Sequence, residues 1–412
     1  MPAHSDLHSV IPVAEELVAR GDQPVLYLTG EFAPAVRRAG AQFRPLDPAV
    51  DLYGELSSGN PLASIADAGK VIERMGPLVA NLLVEGLRVV PAMIDAVRAE
   101  NADCIVYNPM CPWGIALARM LGLPAVTFST TFVMKPGSDF EQMFATSANA
   151  EKMAATWDYV RRSVDELHTL HGVPPLRLSD MFSPCEPANI VPIIREFQPD
   201  AASLDERYLF TGPSIRGGGT DPGFPLDHLD GGPGLYISLG TAISRGSGSR
   251  FARLCFDAFG GTGWRVVLSA GAGTDLASLG TPPANFLVRG HVPQLDVLRR
   301  ADVFVTHGGV NSVMEAMWHG VPLVAIPHTI EQLMFADRAA QLGLGVRLDP
   351  AGITAGALRV AVDSVAADPG YRARLAGISA AARQAGGYQR AADAIAQAAS
   401  RSVLSSQPTA AI

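Results

Sequence analysis

Short, continuously apolar runs alternate along this chain with longer stretches in which apolar side chains return every third or fourth position. In the first half the runs occupy residues 24–28, 104–107 and 125–128; in the second half, 235–238, 264–268, 286–288, 303–306 and 323–326. A strand without polar alternation is covered on both faces, and strands separated by helices pair in parallel. The pattern therefore predicts an α/β protein built on parallel sheets. One helix is expected over residues 10–19, where Val10, Val13, Ala14, Leu17 and Val18 share a face. Residues 2–6 read as the loop that follows a strand, so an apolar strand, about ten residues with its turn, is expected ahead of Pro2.

Residues 212–234 hold eight Gly and four Pro, a composition that sustains neither a helix nor a central strand and reads as a linker. At 412 residues the chain is too long for one ordinary core. The expected division is an N-terminal domain over 1–211 without its first strand, the linker 212–234 and a C-terminal domain over 235–371. A terminal helix over 372–400 should pack back on the N-terminal domain, followed by a flexible tail over 401–412. A hydrophobic fraction of 48% belongs to a folding chain, and a formal net charge of -8 turns away nucleic acid and anionic membrane. No apolar run approaches the ~18–20 residues of a spanning helix. Four scattered cysteines (Cys104, Cys111, Cys185, Cys255) fit neither a disulfide framework nor a zinc site. With no secretory leader, a soluble cytoplasmic monomer or homodimer is expected.

The chemistry concentrates in residues 291–338. The apolar run 303–306 ends in His307-Gly308-Gly309, and Asn311-Ser312 opens a helix. Glycines let a ligand approach the backbone, and the unpaired N–H groups of a helix start, with the positive end of its dipole, favour an anion. A diphosphate fits such a cradle. Glu315, one turn on, is placed to accept from sugar hydroxyls. Singly, each piece is ordinary: Gly-Gly is a turn, Asn311 or Ser312 a cap, Glu315 or Glu331 a solvated side chain.

Together they resemble the donor signature of the family 1 nucleotide-sugar glycosyltransferases, closest to the bacterial enzymes acting on macrolides and other secondary metabolites. The matching residues are Val292-Pro293-Gln294, His307-Gly308-Gly309, Asn311-Ser312, Glu315, Gly320-Val321-Pro322, Pro327 and Glu331-Gln332. The resemblance implies a GT-B fold, two Rossmann-like parallel-sheet domains facing a cleft. It implies that Val292 and Gln294 frame the base and that His307, Gly308, Gly309, Asn311 and Ser312 hold the diphosphate. Glu315 would bind ribose, Glu331 and Gln332 the donor sugar, and Ser238 and Thr241, from Ser238-Leu239-Gly240-Thr241, the diphosphate again. His291 stands where plant members carry Trp, which leaves UDP and dTDP both open.

The implied reaction is inverting, metal-independent transfer of the sugar to a hydroxyl of a small hydrophobic aglycone such as a polyketide. The nucleotide sugar serves as co-substrate, with no other cofactor. Many relatives use a His on the first strand-to-helix loop, supported by an Asp after a later strand. Aligning the first helix places Asp6 at the first position and Asn108 at the second. Asp6 is the first choice as base, with His8 and His4 as alternatives and a helix cap as its plain structural role. The acceptor pocket is expected from Asn108, Trp113, Phe132 and Met134, with Phe140, Met143 and Phe144, each of which also reads as core. Two other functions fit parts of the pattern: a GT-B-like nucleotide-sugar epimerase, and a non-catalytic homologue acting as a helper.

Overall fold

The computed structural model describes residues 4–46, 68–135, 147–183, 186–216, 221, 223–240, 248–271 and 274–405. They form two compact units. Unit 1 comprises Met1–Ser214 and Gly386–Ile412, and unit 2 comprises Ile215–Ala385.

Unit 1 begins with α1 (His4–Ala19), β1 (Val25–Leu28), α2 (Ala33–Arg38) and β2 (Gln42–Pro45). Then come α3 (Ala68–Arg88), α4 (Val90–Ala99), β3 (Ile105–Tyr107), α5 (Pro112–Leu121) and β4 (Ala125–Phe128). It continues through α6 (Ser147–His171), α7 (Leu178–Phe182), β5 (Ala188–Val191) and β6 (Tyr208–Phe210). The described strands make two parallel sheets, β1-β2 and β3-β4-β5-β6. Helix α1 covers both: Val13 and Leu17 pack with Val126 and Phe128, while Ala14 packs with Val36, Leu26 and Leu28.

Helix α1 is longer than the pattern predicts. The expected loop at residues 4–6 is helical, because Asp6, Leu7 and Ser9 are buried and carry the helix more than a turn ahead of residue 10.

Unit 2 is built from β7 (Gly234–Ser238), α8 (Gly248–Phe259), β8 (Arg265–Ser269), β9 (Phe286–Arg289), α9 (Gln294–Leu298) and β10 (Val303–Thr306). It goes on through α10 (Val310–His319), β11 (Leu323–Ala325), α11 (Ile330–Gln341), β12 (Gly345–Arg347), α12 (Ala355–Ala367) and α13 (Pro369–Gln384). All six strands are parallel, in the order β12-β11-β10-β7-β8-β9. Leu235, Ile237, Val303, Val305 and Val324 point to one face, against Phe259, Leu358 and Val362 of α8 and α12. That is the doubly wound architecture the apolar runs predict, with its central strands β7, β10 and β11 buried throughout.

Two boundaries differ from expectation. The Gly/Pro-rich stretch is not a linker throughout: the units part after Ser214, and in unit 2 Leu229 is buried while His228 Nε2 lies 3.2 Å from the carbonyls of Val266 and Asn285. A 3-10 helix over Leu226–Leu229 forms there as well, so Gly and Pro shorten the regular elements without preventing packing. The terminal helix over 372–400 is likewise two helices. Gly386 (φ +94°) and Gly387 (φ +53°) break it, leaving α13 in unit 2 and placing α14 (Gly387–Ser405) in unit 1 against α1, β4 and β5.

Candidate functional site

The order of the unit 2 sheet reverses between β7 and β10, which run side by side with Ser238 opposite Thr306. Chains leaving the carboxyl ends of such a pair diverge and open a crevice, the usual ligand position in this architecture. From β7 the chain enters Leu239-Gly240, and from β10 it enters His307-Gly308-Gly309 and the start of α10. Gly309 caps α10 in extended backbone with no side-chain hydrogen bond. The first N–H groups of α10 therefore lack helical partners at the positive end of its dipole. Gly308 (φ +81°) makes the turn, and a Cβ on it would lie 3.1 Å from the Gln332 carbonyl oxygen.

The imidazole of His307 sits between two glycines. A Cβ on Gly240 would fall 2.8 Å from its Cε1, and one on Gly309 2.4 Å from its Nε2. Burial, assisted by the neighbouring His328, pulls the His307 pKa down to about 4, against a hydrogen bond to the Ser238 backbone. The ring is thus neutral at pH 7, and its single N–H is engaged by Ser238. Its Nδ1 and the Nε2 of His328 are buried without a hydrogen-bond partner among the described residues. Buried polar atoms are ordinarily paired, so the two nitrogens leave hydrogen-bonding capacity beside the turn. Burial lowers the His328 pKa as well.

Beside this turn, Tyr236 of β7 stacks on Phe304, ring centroids 4.6 Å apart, and donates its hydroxyl proton to Gln294 Oε1 at 3.0 Å. Gln294 Nε2 then donates to Glu315 Oε2 at 2.6 Å and to Ser312 Oγ at 3.3 Å. The starts of α9 and α10 are tied together by this network, with Glu315 buried at its centre; Val292 is buried as well. Burial raises the Tyr236 pKa and keeps the phenol protonated as a donor. Tyr236 was not among the residues the pattern singles out. Its signal was a tyrosine inside an apolar strand, whose buried hydroxyl needs a partner.

Of the remaining donor-side residues, Asn311 is half-buried in the first turn of α10 and Glu331 is exposed at the start of α11. Gln332 is buried, and its Oε1 accepts from the N–H groups of His328 (2.8 Å) and Thr329 (3.2 Å), closing the first turn of α11. Thr241 lies outside the described residues, as do Phe140, Met143 and Phe144.

In unit 1, Asp6 occupies the first turn of α1 and is buried. Thr130 Oγ1 donates to its Oδ1 at 2.5 Å, and Asn108 Nδ2 donates to Thr130 Oγ1 at 3.1 Å. Burial pushes the Asp6 carboxyl up, offset in part by the charge of the amino terminus and by the Thr130 bond. His8 is exposed on the same helix, and the His4 side chain lies outside the described residues. The structure thus brings Asn108 to Asp6, through a threonine the sequence did not flag.

It does not leave the two aromatic residues at a surface. Trp113 is packed in the core between α3 and α5, where a Cβ on Gly86 would be 3.2 Å from it, and Phe132 packs on Phe197 at 5.7 Å. Their size and apolarity are used to fill unit 1. Met134 is half-buried, its N–H bonded to the Phe182 carbonyl at 3.2 Å. Among the described residues no three His, Cys, Asp or Glu side chains gather as a metal site requires, and no single helix is long and apolar enough to cross a membrane.

Residues 256–385 match a family model described as the C-terminal domain of erythromycin biosynthesis protein CIII-like proteins. The chain is 32% identical to the NDP-glycosyltransferase YjiC of Bacillus licheniformis, across 96% of this chain and 95% of that one. It is 29% identical to the oleandomycin glycosyltransferase of Streptomyces antibioticus, across 95% and 88%. Among solved structures it resembles CalG4, the calicheamicin glycosyltransferase, with a TM-score of 0.78 and 28% identity across 96% and 95% of the two chains.

Proposed function

The chain belongs to the family 1 nucleotide-sugar-dependent glycosyltransferases of GT-B fold, of the macrolide and antibiotic type, and from that membership we propose an inverting, metal-independent transfer from a UDP- or dTDP-sugar to a hydroxyl of a small hydrophobic aglycone such as a polyketide. The observation that supports the reading is the switch-point turn, where the positive end of α10 and the imidazoles of His307 and His328, each with a buried ring nitrogen, lie beside the Gln294–Glu315 pair. Asp6 accepts the proton of the aglycone hydroxyl. The hydroxyl oxygen forms a bond to the anomeric carbon as the bond from that carbon to the diphosphate oxygen breaks, and the electron pair leaves on the nucleoside diphosphate.

Charge on the leaving diphosphate is met by the first amides of α10 and its dipole, without a cation. His307 contributes in a conditional way. Its one proton is spent on Ser238, so Nδ1 becomes a donor only when an adjacent anion outweighs burial and protonates the ring. Glu315 accepts from the ribose hydroxyls while Gln294 holds its carboxylate.

The test is mass spectrometry of products from a panel of UDP- and dTDP-sugars with polyketide aglycones, with the anomeric configuration read by NMR. Product with configuration opposite to the donor, formed equally in the presence of a chelator, is the expected result. Retained configuration, or strict dependence on added Mg²⁺, overturns the mechanism. A homologue acting only as a helper binds the nucleotide and yields no product.

A further inference from the structure

We propose that Gln198 is a positioning residue for the acceptor: its buried amide clamps residues 129–134, the segment that leaves the carboxyl end of β4, so that Thr131 and Met134 stand toward the bound aglycone. This rests on the reading of the chain as a transferase to a hydrophobic aglycone, with unit 1 as the half that takes it. It does not involve the base.

Strands β4 and β5 run in parallel with Phe128 opposite Ile190, and the Ser129 N–H extends the ladder by donating to the Ile190 carbonyl at 2.8 Å. Beyond it the chain forms neither helix nor strand as far as Met134, so its backbone groups need partners from outside the segment. Gln198, in the turn that follows β5, supplies them at Val133. Its Oε1 accepts from the Val133 N–H at 3.2 Å, and its Nε2 donates to the carbonyls of Val133 and Pro199, both at 2.9 Å. An N–H only donates and a carbonyl only accepts, so a single orientation of the amide satisfies all three bonds. One side chain thus does for Val133 what a neighbouring strand would do. To either side, the Phe132 ring packs on Phe197 with centroids 5.7 Å apart, and the Met134 N–H donates to the Phe182 carbonyl at 3.2 Å. Gln198 is 3% exposed, and Phe132 and Val133 are 5% exposed. Without the amide a buried N–H and a buried carbonyl would lose their partners, and the segment would shift to recover them.

Thr131 and Met134 are half-buried, while Phe132 and Val133 between them are buried in unit 1. Ligands of parallel sheets lie outside the carboxyl ends of the strands, which is where this segment runs. An unbranched, polarizable thioether adapts to an irregular apolar surface, and the threonine hydroxyl offers a polar partner beside it. A segment fixed in advance need not be ordered when the acceptor arrives; one that holds its binding arrangement only part of the time weakens the apparent affinity by that fraction.

The experiment compares Gln198→Met, Phe197→Leu, Met134→Ala and the double variant Gln198→Met/Met134→Ala in the full chain. Acceptor affinity is read from 7-hydroxycoumarin fluorescence titrations with UDP present, KM and kcat from glucose transfer from UDP-glucose to 7-hydroxycoumarin, and UDP affinity from calorimetry. Gln198→Met keeps the size of the side chain and cannot bond Val133. It should weaken 7-hydroxycoumarin binding and raise its KM by on the order of tenfold, with kcat and UDP affinity within about twofold of the parent. Met134→Ala should weaken acceptor binding in the parent and add little to Gln198→Met, because both act through one arrangement. Phe197→Leu loosens the same segment through Phe132 with every hydrogen bond in place; it should raise KM in the same sense, and it serves where Gln198→Met does not fold. A lowered thermal midpoint with unchanged acceptor affinity would make Gln198 purely structural and overturn the proposal, as would an equal loss of UDP affinity or strict additivity of the two substitutions. Acceptor binding that follows these expectations without transfer upholds the clamp and refutes the proposed reaction. Failure of the unaltered chain to bind 7-hydroxycoumarin removes the acceptor site and the proposal together.

Discussion

Replacing Gly309 with alanine inserts one methyl group into the tightest gap of the β10–α10 turn. The backbone at Gly309 (φ −65°, ψ 146°) suits any L residue, so the effect reports on the side-chain space alone. The new Cβ would stand 2.4 Å from His307 Nε2, 3.2 Å from Cε1 and 3.3 Å from Cδ2. Ordinary carbon contacts lie near ~3.5–4.0 Å, so the ring must retreat by about 1 Å. That retreat pulls Nε2 from the Ser238 backbone and pushes the ring toward Gly240. Overpacking of this kind costs about 1–3 kcal/mol. At about 1.4 kcal/mol per factor of ten, that corresponds to roughly 5- to 150-fold if it falls on the nucleotide complex. Calorimetric titration with UDP and initial rates measure it. Gly377→Ala in α13, where the methyl meets nothing within 4 Å, is the control. UDP affinity in Gly309→Ala within twofold of the parent would show that His307 does not shape the nucleotide site.

Gln294→Leu leaves the Tyr236 hydroxyl and a buried Glu315 oxygen short of a partner, so unit 2 should lose about 1–3 kcal/mol in denaturant titrations and UDP affinity should fall with it; unchanged affinity detaches this network from the nucleoside. Trp113→Ala opens a cavity in unit 1 worth about 3–5 kcal/mol and should leave acceptor KM unaltered in the folded fraction, whereas a raised KM at normal stability would return Trp113 to the acceptor pocket. Stability should also fall in acid. The folded-state pKa of His307 lies near 4, below its ordinary 6.5, so the unfolded chain takes up the proton first and stability present above pH 6.5 is lost as pH drops toward 4. His319, also pulled down to about 4 by burial with Arg299 and Arg383 nearby, acts in the same direction. A denaturation midpoint that stays flat from pH 7 to pH 4.5 contradicts both assignments.

The architecture of unit 2 was legible because its strands are continuous apolar runs; those read at 235–238, 264–268, 286–288, 303–306 and 323–326 each lie within one residue of the observed ends. The strands that escaped were short or chemically mixed: Gln42–Pro45 carries an arginine and a proline, Ala188–Val191 an asparagine, and Tyr208–Phe210 and Gly345–Arg347 are three residues long. Their place in a sheet comes from neighbours rather than from their own pattern. The site divides in the same way. His307, Gly308 and Gly309 are contiguous, and their chemistry could be read from one turn. Tyr236 is 58 residues from Gln294, and Thr130 is 124 from Asp6. No local periodicity announces a partner at such distances. Trp113 and Phe132 were ambiguous for a different reason, since a core and an aglycone are wetted by the same side chains.

The break at Gly386–Gly387 has a bearing on how the protein is made. Unit 2 is one uninterrupted stretch, but unit 1 needs α14 to supply Ala391, Ala392, Ala394 and Ile395 to the core it shares with Val13, Leu17, Val126 and Ile190. Synthesis proceeds from the amino end, and domains fold as they emerge. The half of the molecule translated first is therefore the last to close. While residues 215–385 leave the ribosome and fold, the β3–β6 sheet has only α1 on the face that α14 will share. A chain cut short before residue 387 would hold every residue of unit 2 and an open unit 1, and that state is where this chain has most need of a chaperone.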